Sequence, residues 1–537
     1  MDIERASDPC DAEVDVVVVG FGGAGACAAL EAASHGASVL VLDRFHGGGA
    51  TAASGGVIYA GGGTPYQRSA GYEDTPEEMA RYLRIELNGA VSDATLRRFC
   101  DGSRDDLQWL EQMGVPFDGR LCPYKTSYPT DDYYLYFSGN EQVGHYRTGS
   151  KPAPRGHRAR GRGISGLALF GALRNAVRAR GIQVRTQTQV QRLIIDNGQV
   201  VGVEGRSLPP GSAWPTVHRF LSVLNAKAPT YAPPLSRLLT FILSWISERF
   251  SRPYRAIARR GVVLASGGFV FNRAMLGEHA PLFLRCRPLG TVADDGAGIR
   301  LGQSAGGTTS HMNRCSGWRF YVPPEILTRG VLVNRQGERI CNEELYGATV
   351  ADHMIAHDGV AWLVFDQETY RQAIRTLPRQ AAAWQMLAMV PMLLLGRRKA
   401  ATLASLATRI GVDAENLQST MAAYNSAARA GLPDGLGKAP QHHVPQGTPP
   451  FYAIDCSFAA TNGVPCAAMT LGGLSVDETT GEVLRDDGTA IGGLYAAGRN
   501  AAGLCAEAYV SGLSLADCVF SGRRAGRNAA VGQAPKR

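Results

Sequence analysis

The chain has 537 residues, 45% hydrophobic and 19% charged, long enough for two hydrophobic cores and a buried site between them. Its formal charge of +8 at pH 7 is carried by residues 206–260, where Arg206, Arg219, Lys227, Arg237, Arg249, Arg252, Arg255, Arg259 and Arg260 face the single acid Glu248. The neutral remainder excludes a nucleic-acid groove across the surface. The 11 cysteines, an odd number with no CxxC pair or metal-type spacing, exclude a disulfide framework or zinc site.

Residues 1–13 are acidic and polar, without the basic start and apolar stretch of a secretory signal, so a cytoplasmic protein is expected. Residues 14–20 (VDVVVVG) form a valine run suited to a parallel strand buried on both faces. An alanine-rich helix is expected over about 22–34, then a short strand over 38–42 ending at Asp43. This strand, helix, strand order frames Gly20-Phe21-Gly22-Gly23-Ala24-Gly25, a GxGxxG fingerprint. Its glycines allow the tight turn, the approach of a pyrophosphate and close helix packing, and an acid such as Asp43 takes ribose hydroxyls. The free N–H groups at the helix start favour a phosphate.

Residues 47–64 are nearly all small, which suits a backbone threading past an extended dinucleotide and favours FAD over NAD. A patch rich in Pro and Arg follows at 151–163. Asn197-Gly198 lies between two apolar runs and predicts a β-hairpin within 183–204. Residues 235–250 are apolar but interrupted by charge, and are too short to span a bilayer. Residues 261–265 (GVVLA) predict another central strand, stopped by Ser266-Gly267-Gly268.

Residues 288–447 have a different texture and are expected to form an inserted domain, with a turn at Asn334-Arg335-Gln336-Gly337. Within it, 381–396 is a second apolar run, broken by Pro391 and flanked by Arg371, Arg375, Arg379, Arg397, Arg398 and Lys399. Residues 493–497 (GLYAA) predict a last central strand, stopped by Gly498. The expected fold is therefore α/β: a discontinuous Rossmann-type FAD-binding domain (1–287, with the basic apolar insertion 206–260, and 448–537) carrying an inserted α+β catalytic or cap domain.

These segments, together with Asp295-Gly296, residues 333–339 (VNRQGER) and Asn342-Glu343, resemble the flavoprotein superfamily of fumarate reductases and succinate dehydrogenases. The resemblance spans most of the chain outside 206–260. It implies cofactor contacts from Gly20, Gly22, Gly25, Asp43, Arg44, Thr51, Ser54, Gly55, Gly56, Gly267, Gly498, Ser514 and Leu515. Succinate dehydrogenases attach FAD through a His before a Gly-Gly pair. Setting that pair on Gly55-Gly56 puts Gly49 in the place of the His, which implies non-covalent FAD.

Fumarate reductases also carry an Arg-Leu-Gly-Gly-Asn segment near the C-terminus for a dicarboxylate. This chain has instead Tyr509-Val510-Ser511-Gly512-Leu513-Ser514-Leu515, which, with Tyr321, resembles the bacterial 3-ketosteroid Δ4-(5α)-dehydrogenases. That resemblance implies Tyr509 on the C3 ketone of a steroid-like substrate, Ser511 backed by Tyr321 on the C4 proton, and the C5 hydride passing to flavin N5. A helix starting near Gly512 or Leu513 would aim its N-terminus at the flavin.

Three other readings remain open on the residues: a 3-ketosteroid Δ1-dehydrogenase, an enoate reductase like fumarate reductase, and a flavin-bearing binding protein without turnover. No motif names the electron acceptor. The two apolar, base-flanked segments suit either an anionic membrane surface, placing the protein peripherally on the inner face of the cell membrane, or buried and oligomer-contact helices.

Overall fold

The computed structural model describes residues 10–226, 228, 232–459 and 466–532; the acidic start before Cys10 and Lys227 lie outside them. Strand β1 (Ala12–Val19), helix α1 (Gly23–Ser34) and strand β2 (Val39–Leu42) form the expected crossover. Val16, Val17 and Val18 are fully buried, the reason a valine run works here where an alternating strand would not.

The main sheet runs in the order Glu482–Leu484, Ala490–Ala496, Arg252–Leu264, β1, β2, Gln183–Arg185. Ala490–Ala496 lies parallel to Arg252–Leu264, which lies parallel to β1. The glycine-stopped runs near 261 and 493 are thus neighbouring central strands. The helix Leu513–Val531 packs against α1.

Asn197 (φ 48°) and Gly198 (φ 77°) make the left-handed two-residue turn joining Thr188–Asp196 to Gln199–Ser207, with Asp196 opposite Gln199. Positive φ at both turn positions matches the right-handed strand twist. Ser207 also pairs with Arg252, so the insertion is narrower than 206–260. It is a helical hairpin, Trp214–Asn225 and Pro233–Phe250, hung from two adjacent strand ends. Arg255, Arg259 and Arg260 belong to the central strand, where Arg259 and Arg260 pair with Asp15 at 3.1 and 3.5 Å.

The inserted domain holds a four-stranded antiparallel sheet, Val331–Val333, Trp362–Phe365, Phe451–Asp455, Arg397–Ala400. The expected boundary at 447 falls too early. Phe451–Asp455 is an inner strand of this sheet, paired on both sides. A three-stranded sheet of Arg287–Pro288, Ala467–Thr470 and Cys315–Trp318 stitches the segments flanking the domain to its start.

Two segments singled out by composition are regular elements in the structure. The small-residue stretch is ordered as a short helix, Gly49–Ala53, and a strand, Val57–Tyr59. The Arg-rich patch is interior: Gly156–Arg158 is the middle strand between Val57–Tyr59 and Leu135–Tyr136. Buried Arg155 pairs with Asp74 at 2.7 Å and buried Arg158 with Asp131 at 2.5 Å. Arginine is rarely so enclosed unless paired.

Beside this sheet, buried Glu86 accepts from the Tyr82 hydroxyl (2.9 Å) and Asn140 Nδ2 (3.0 Å). Burial, the largest influence, pushes its carboxyl up to about 7, against about 4.3 in an unfolded chain. The folded state therefore holds this proton more tightly. The stability it contributes is fully present below about pH 4.3, is lost as pH rises through 7, and does not change further above that. Thermal unfolding of Glu86→Gln between pH 5 and 8 should show a shallower decline than the parent; equal slopes would place the titration elsewhere.

Candidate active site

A cavity of about 1360 Å³ reaches both glycine-rich ends of the dinucleotide fold. Its wall includes Gly20, Gly22, Asp43, Arg44, Thr51, Ser54, Gly55, Gly56, Gly267, Gly498, Tyr509, Ser511, Ser514 and Leu515. Gly25 stands behind the wall: a Cβ there would be driven into the Gly20 carbonyl oxygen. It serves the packing of α1 on β1 that the fingerprint requires of its third glycine.

The Asp43 carboxylate accepts from the Phe21 and Phe45 backbone N–H groups at 2.9 and 2.8 Å, which folds the loop after β2 around the start of α1. Arg44 pairs with Asp295 at 2.7 Å, tying the loop to the first residues beyond position 288. Gly56 has φ 64°, and a Cβ on it would sit 2.6 Å from the Ser165 carbonyl carbon. No side chain fits there, so the backbone itself forms the wall. The Ser54 hydroxyl donates to the Thr51 carbonyl (2.7 Å) and accepts from Gly56 N–H (3.1 Å), holding this corner rigid.

The cavity fits a long polar and aromatic ligand. Buried Thr291 Oγ1 and Arg499 Nη1 have no hydrogen-bond partner among the described residues, and both residues lie on its wall. Buried polar atoms are rarely left unmatched in a finished structure, and FAD's pyrophosphate and hydroxyls supply the complementary groups. The helix Leu513–Val531 begins on the wall with N-cap Gly512 and no side-chain cap; the Leu513 N–H donates to the Val510 carbonyl at 3.1 Å, and the positive end of the helix beyond it, at Ser514 and Leu515, favours a ligand that takes up negative charge. Gly49 lies on the wall, and no histidine does among the described residues.

At the other end the lining turns aromatic: Tyr128, Trp318, Phe320, Tyr346, Trp384 and Tyr509. Trp318 stacks on Tyr509 at 5.1 Å, and Tyr346 packs 6.4 Å from the same ring. Ser511 Oγ lies 3.0 Å from the hydroxyl of buried Tyr136. Burial raises the phenol pKa values of Tyr136, Tyr346 and Tyr509 above the usual tyrosine value, so at neutral pH all three are neutral hydroxyls.

Tyr321 is not brought to this group. It is 2% exposed, lies off the cavity wall, and its hydroxyl donates to the Glu343 carbonyl at 2.8 Å. The hydroxyl of Tyr136 stands behind Ser511, where Tyr321 was expected, and Tyr346 packs beside Tyr509. Tyr346 is the N-cap of the helix Gly347–Ala356, with its backbone N–H held by Asn140 Oδ1 at 2.6 Å. The signal in the sequence was its position just after Asn342-Glu343, a pair already picked out for the resemblance.

The family profile described as the FAD binding domain matches residues 15–512. A 3-oxo-5-alpha-steroid 4-dehydrogenase of Comamonas testosteroni is 40% identical over 90% of this chain and 92% of its own. The chain belongs to the 3-ketosteroid Δ4-(5α)-dehydrogenase family of FAD-binding flavoproteins. The crystal structure of the 3-ketosteroid-Δ4-(5α)-dehydrogenase from Rhodococcus jostii RHA1, in complex with 4-androstene-3,17-dione, superimposes with a TM-score of 0.82 at 32% identity, covering 98% of each chain. A 3-oxosteroid 1-dehydrogenase of Mycobacterium tuberculosis is more distant, 27% identical over 93% of this chain and 94% of its own. FAD is the cofactor of this flavoprotein.

Proposed function

We propose that this flavoprotein dehydrogenates a saturated 3-ketosteroid across C4 and C5, leaving a 4-ene, with FAD held non-covalently, and that it collects this substrate at an anionic membrane surface. The observation that carries the reading is the presence of Tyr509 and Ser511 in the aromatic end of the same cavity whose other end is built for a dinucleotide. Flat aromatic walls suit a fused-ring ketone, and the donor and the base that this chemistry needs can both be hydroxyls.

Tyr509 donates to the C3 ketone oxygen, and its neutral phenol keeps that proton through the reaction. Polarising the ketone acidifies the C4 hydrogen. Ser511 takes the C4 proton while passing its own hydroxyl proton to Tyr346 or Tyr136, neutral phenols that accept one proton only as they release another onward to water. The bound flavin supplies the hydride acceptor for C5. Trp318, stacked on Tyr509, fixes the ring and keeps water from the ketone.

The test is to mix purified protein without oxygen with a 5α-3-ketosteroid, follow loss of flavin colour, and locate the new double bond by NMR. A 4-ene is expected. A 1-ene would move the assignment to Δ1 chemistry, and no bleaching would remove the steroid reading altogether.

A further inference from the structure

One surface helix is built inside out, and two others bury one apolar face while presenting a second apolar face to the outside. In Trp214–Asn225 the buried positions are the polar residues His218, Ser222 and Asn225, while Phe220 is 69% exposed. Its hairpin partner Pro233–Phe250 presents Phe241 at 71% exposure, with Leu238 and Trp245 also exposed. The helix Ala383–Leu394 contains one polar side chain, Gln385, and buries it, while Leu387 (71%) and the adjoining Leu395 (80%) face outward. A water-facing helix places these residues the other way round, and large exposed apolar patches mark interaction surfaces.

We propose that these helices lie in the headgroup region of an anionic bilayer and that the steroid enters the cavity from it; the second part rests on the proposed substrate. Charge selects the occupant. On the hairpin helices Arg219, Arg237 and Arg249 are exposed against the one acid Glu248. The helix Ala383–Leu394 is uncharged, preceded by exposed Arg371, Arg375 and Arg379 and followed by exposed Lys399. A second copy of this chain would set base against base, whereas an anionic bilayer offers both the apolar layer and the opposite charge. Among the described residues no helix is long and apolar enough to cross a membrane, so the helices lie on the bilayer.

The site is continuous with this surface. Leu387 is both largely exposed and part of the cavity wall, its half-buried neighbours Trp384 and Ala388 line the cavity with it, and so does Ala226, just past the end of the first hairpin helix. A ketone dissolved in the bilayer reaches Tyr509 past apolar side chains without passing through water.

The test is co-sedimentation of the holoenzyme with vesicles of phosphatidylcholine alone and of phosphatidylcholine with phosphatidylglycerol, at low and high salt, for the parent and for Phe241→Glu combined with Leu395→Glu. Neither substituted residue lies on the cavity wall. The parent should bind the anionic vesicles and be weakened by salt, and the double variant should bind about tenfold or more weakly, given the apolar area withdrawn from the interface. Flavin content and anaerobic bleaching by a water-soluble ketosteroid should be unchanged in the variant. Failure of the parent to bind anionic vesicles, equal binding to both vesicle types, or a dimer abolished by the two substitutions would each overturn the docking. Loss of bleaching in the parent would instead overturn the function and leave the docking result standing on its own.

Discussion

Tyr509→Phe should slow anaerobic flavin reduction by about 10² to 10³-fold, the usual loss when one donor to a developing oxyanion is removed. The substitution deletes one oxygen and keeps the ring that stacks on Trp318 at 5.1 Å, so the aromatic wall survives. The hydroxyl accepts only a long contact from Gly512 N–H, at 3.4 Å, which leaves its own proton for the ketone. Flavin absorbance and thermal stability should change little, which separates lost donation from lost folding. Reduction at the parent rate would take Tyr509 off the ketone.

Ser511→Ala should cost about 10² to 10⁴-fold in the same step, the range for removing a positioned proton-transfer group. Substrate deuterated at C4 makes the loss specific: the variant should show a larger isotope effect as proton removal becomes limiting. With Tyr136 already within hydrogen-bond distance of the serine, two further tyrosine variants decide whether Tyr346 or Tyr321 shares in the relay. Tyr346→Phe should slow the deuterium-sensitive step. Tyr321→Phe should leave it intact and lower stability by about 1 kcal/mol, the worth of its hydrogen bond to the Glu343 carbonyl. The reverse pattern would return the role to Tyr321 and dismiss Tyr346.

That exchange of tyrosines shows where the amino-acid sequence stops being legible. The β1, α1, β2 unit, the Asn197-Gly198 hairpin and the strands near 261 and 493 were readable because each is written locally: a buried apolar run, a turn that demands positive φ, a glycine stop. Which tyrosine of the inserted domain faces the cavity is not local. It depends on Asn140, over two hundred residues earlier, holding the backbone of Tyr346. The Ser511 to Tyr136 contact spans still more of the chain, 375 residues, and nothing near Tyr136 marks it.

Composition left two places unread for a related reason. Arg155 and Arg158 stand out in sequence only as part of a Pro- and Arg-rich patch, and the carboxylate partners that bury them, Asp74 and Asp131, lie elsewhere along the chain. The strand Phe451–Asp455 follows a stretch of proline and histidine that looks like a domain end, and only its pairing on both sides returns it to the inserted sheet.

The placement of Ala490–Ala496 bears on how the protein is made. This strand seals Val262, Val263 and Leu264, yet it is synthesised more than two hundred residues after them, with the helix Leu513–Val531 following it. Until then the growing chain carries an open edge in the middle of its main sheet, a template for pairing with other chains. The flavin pocket likewise has no far wall before Gly498 and Ser511 are synthesised. Cofactor loading therefore waits for the synthesis of this second segment, and a chain that stops before it should be colourless and self-associating however complete its fingerprint may look.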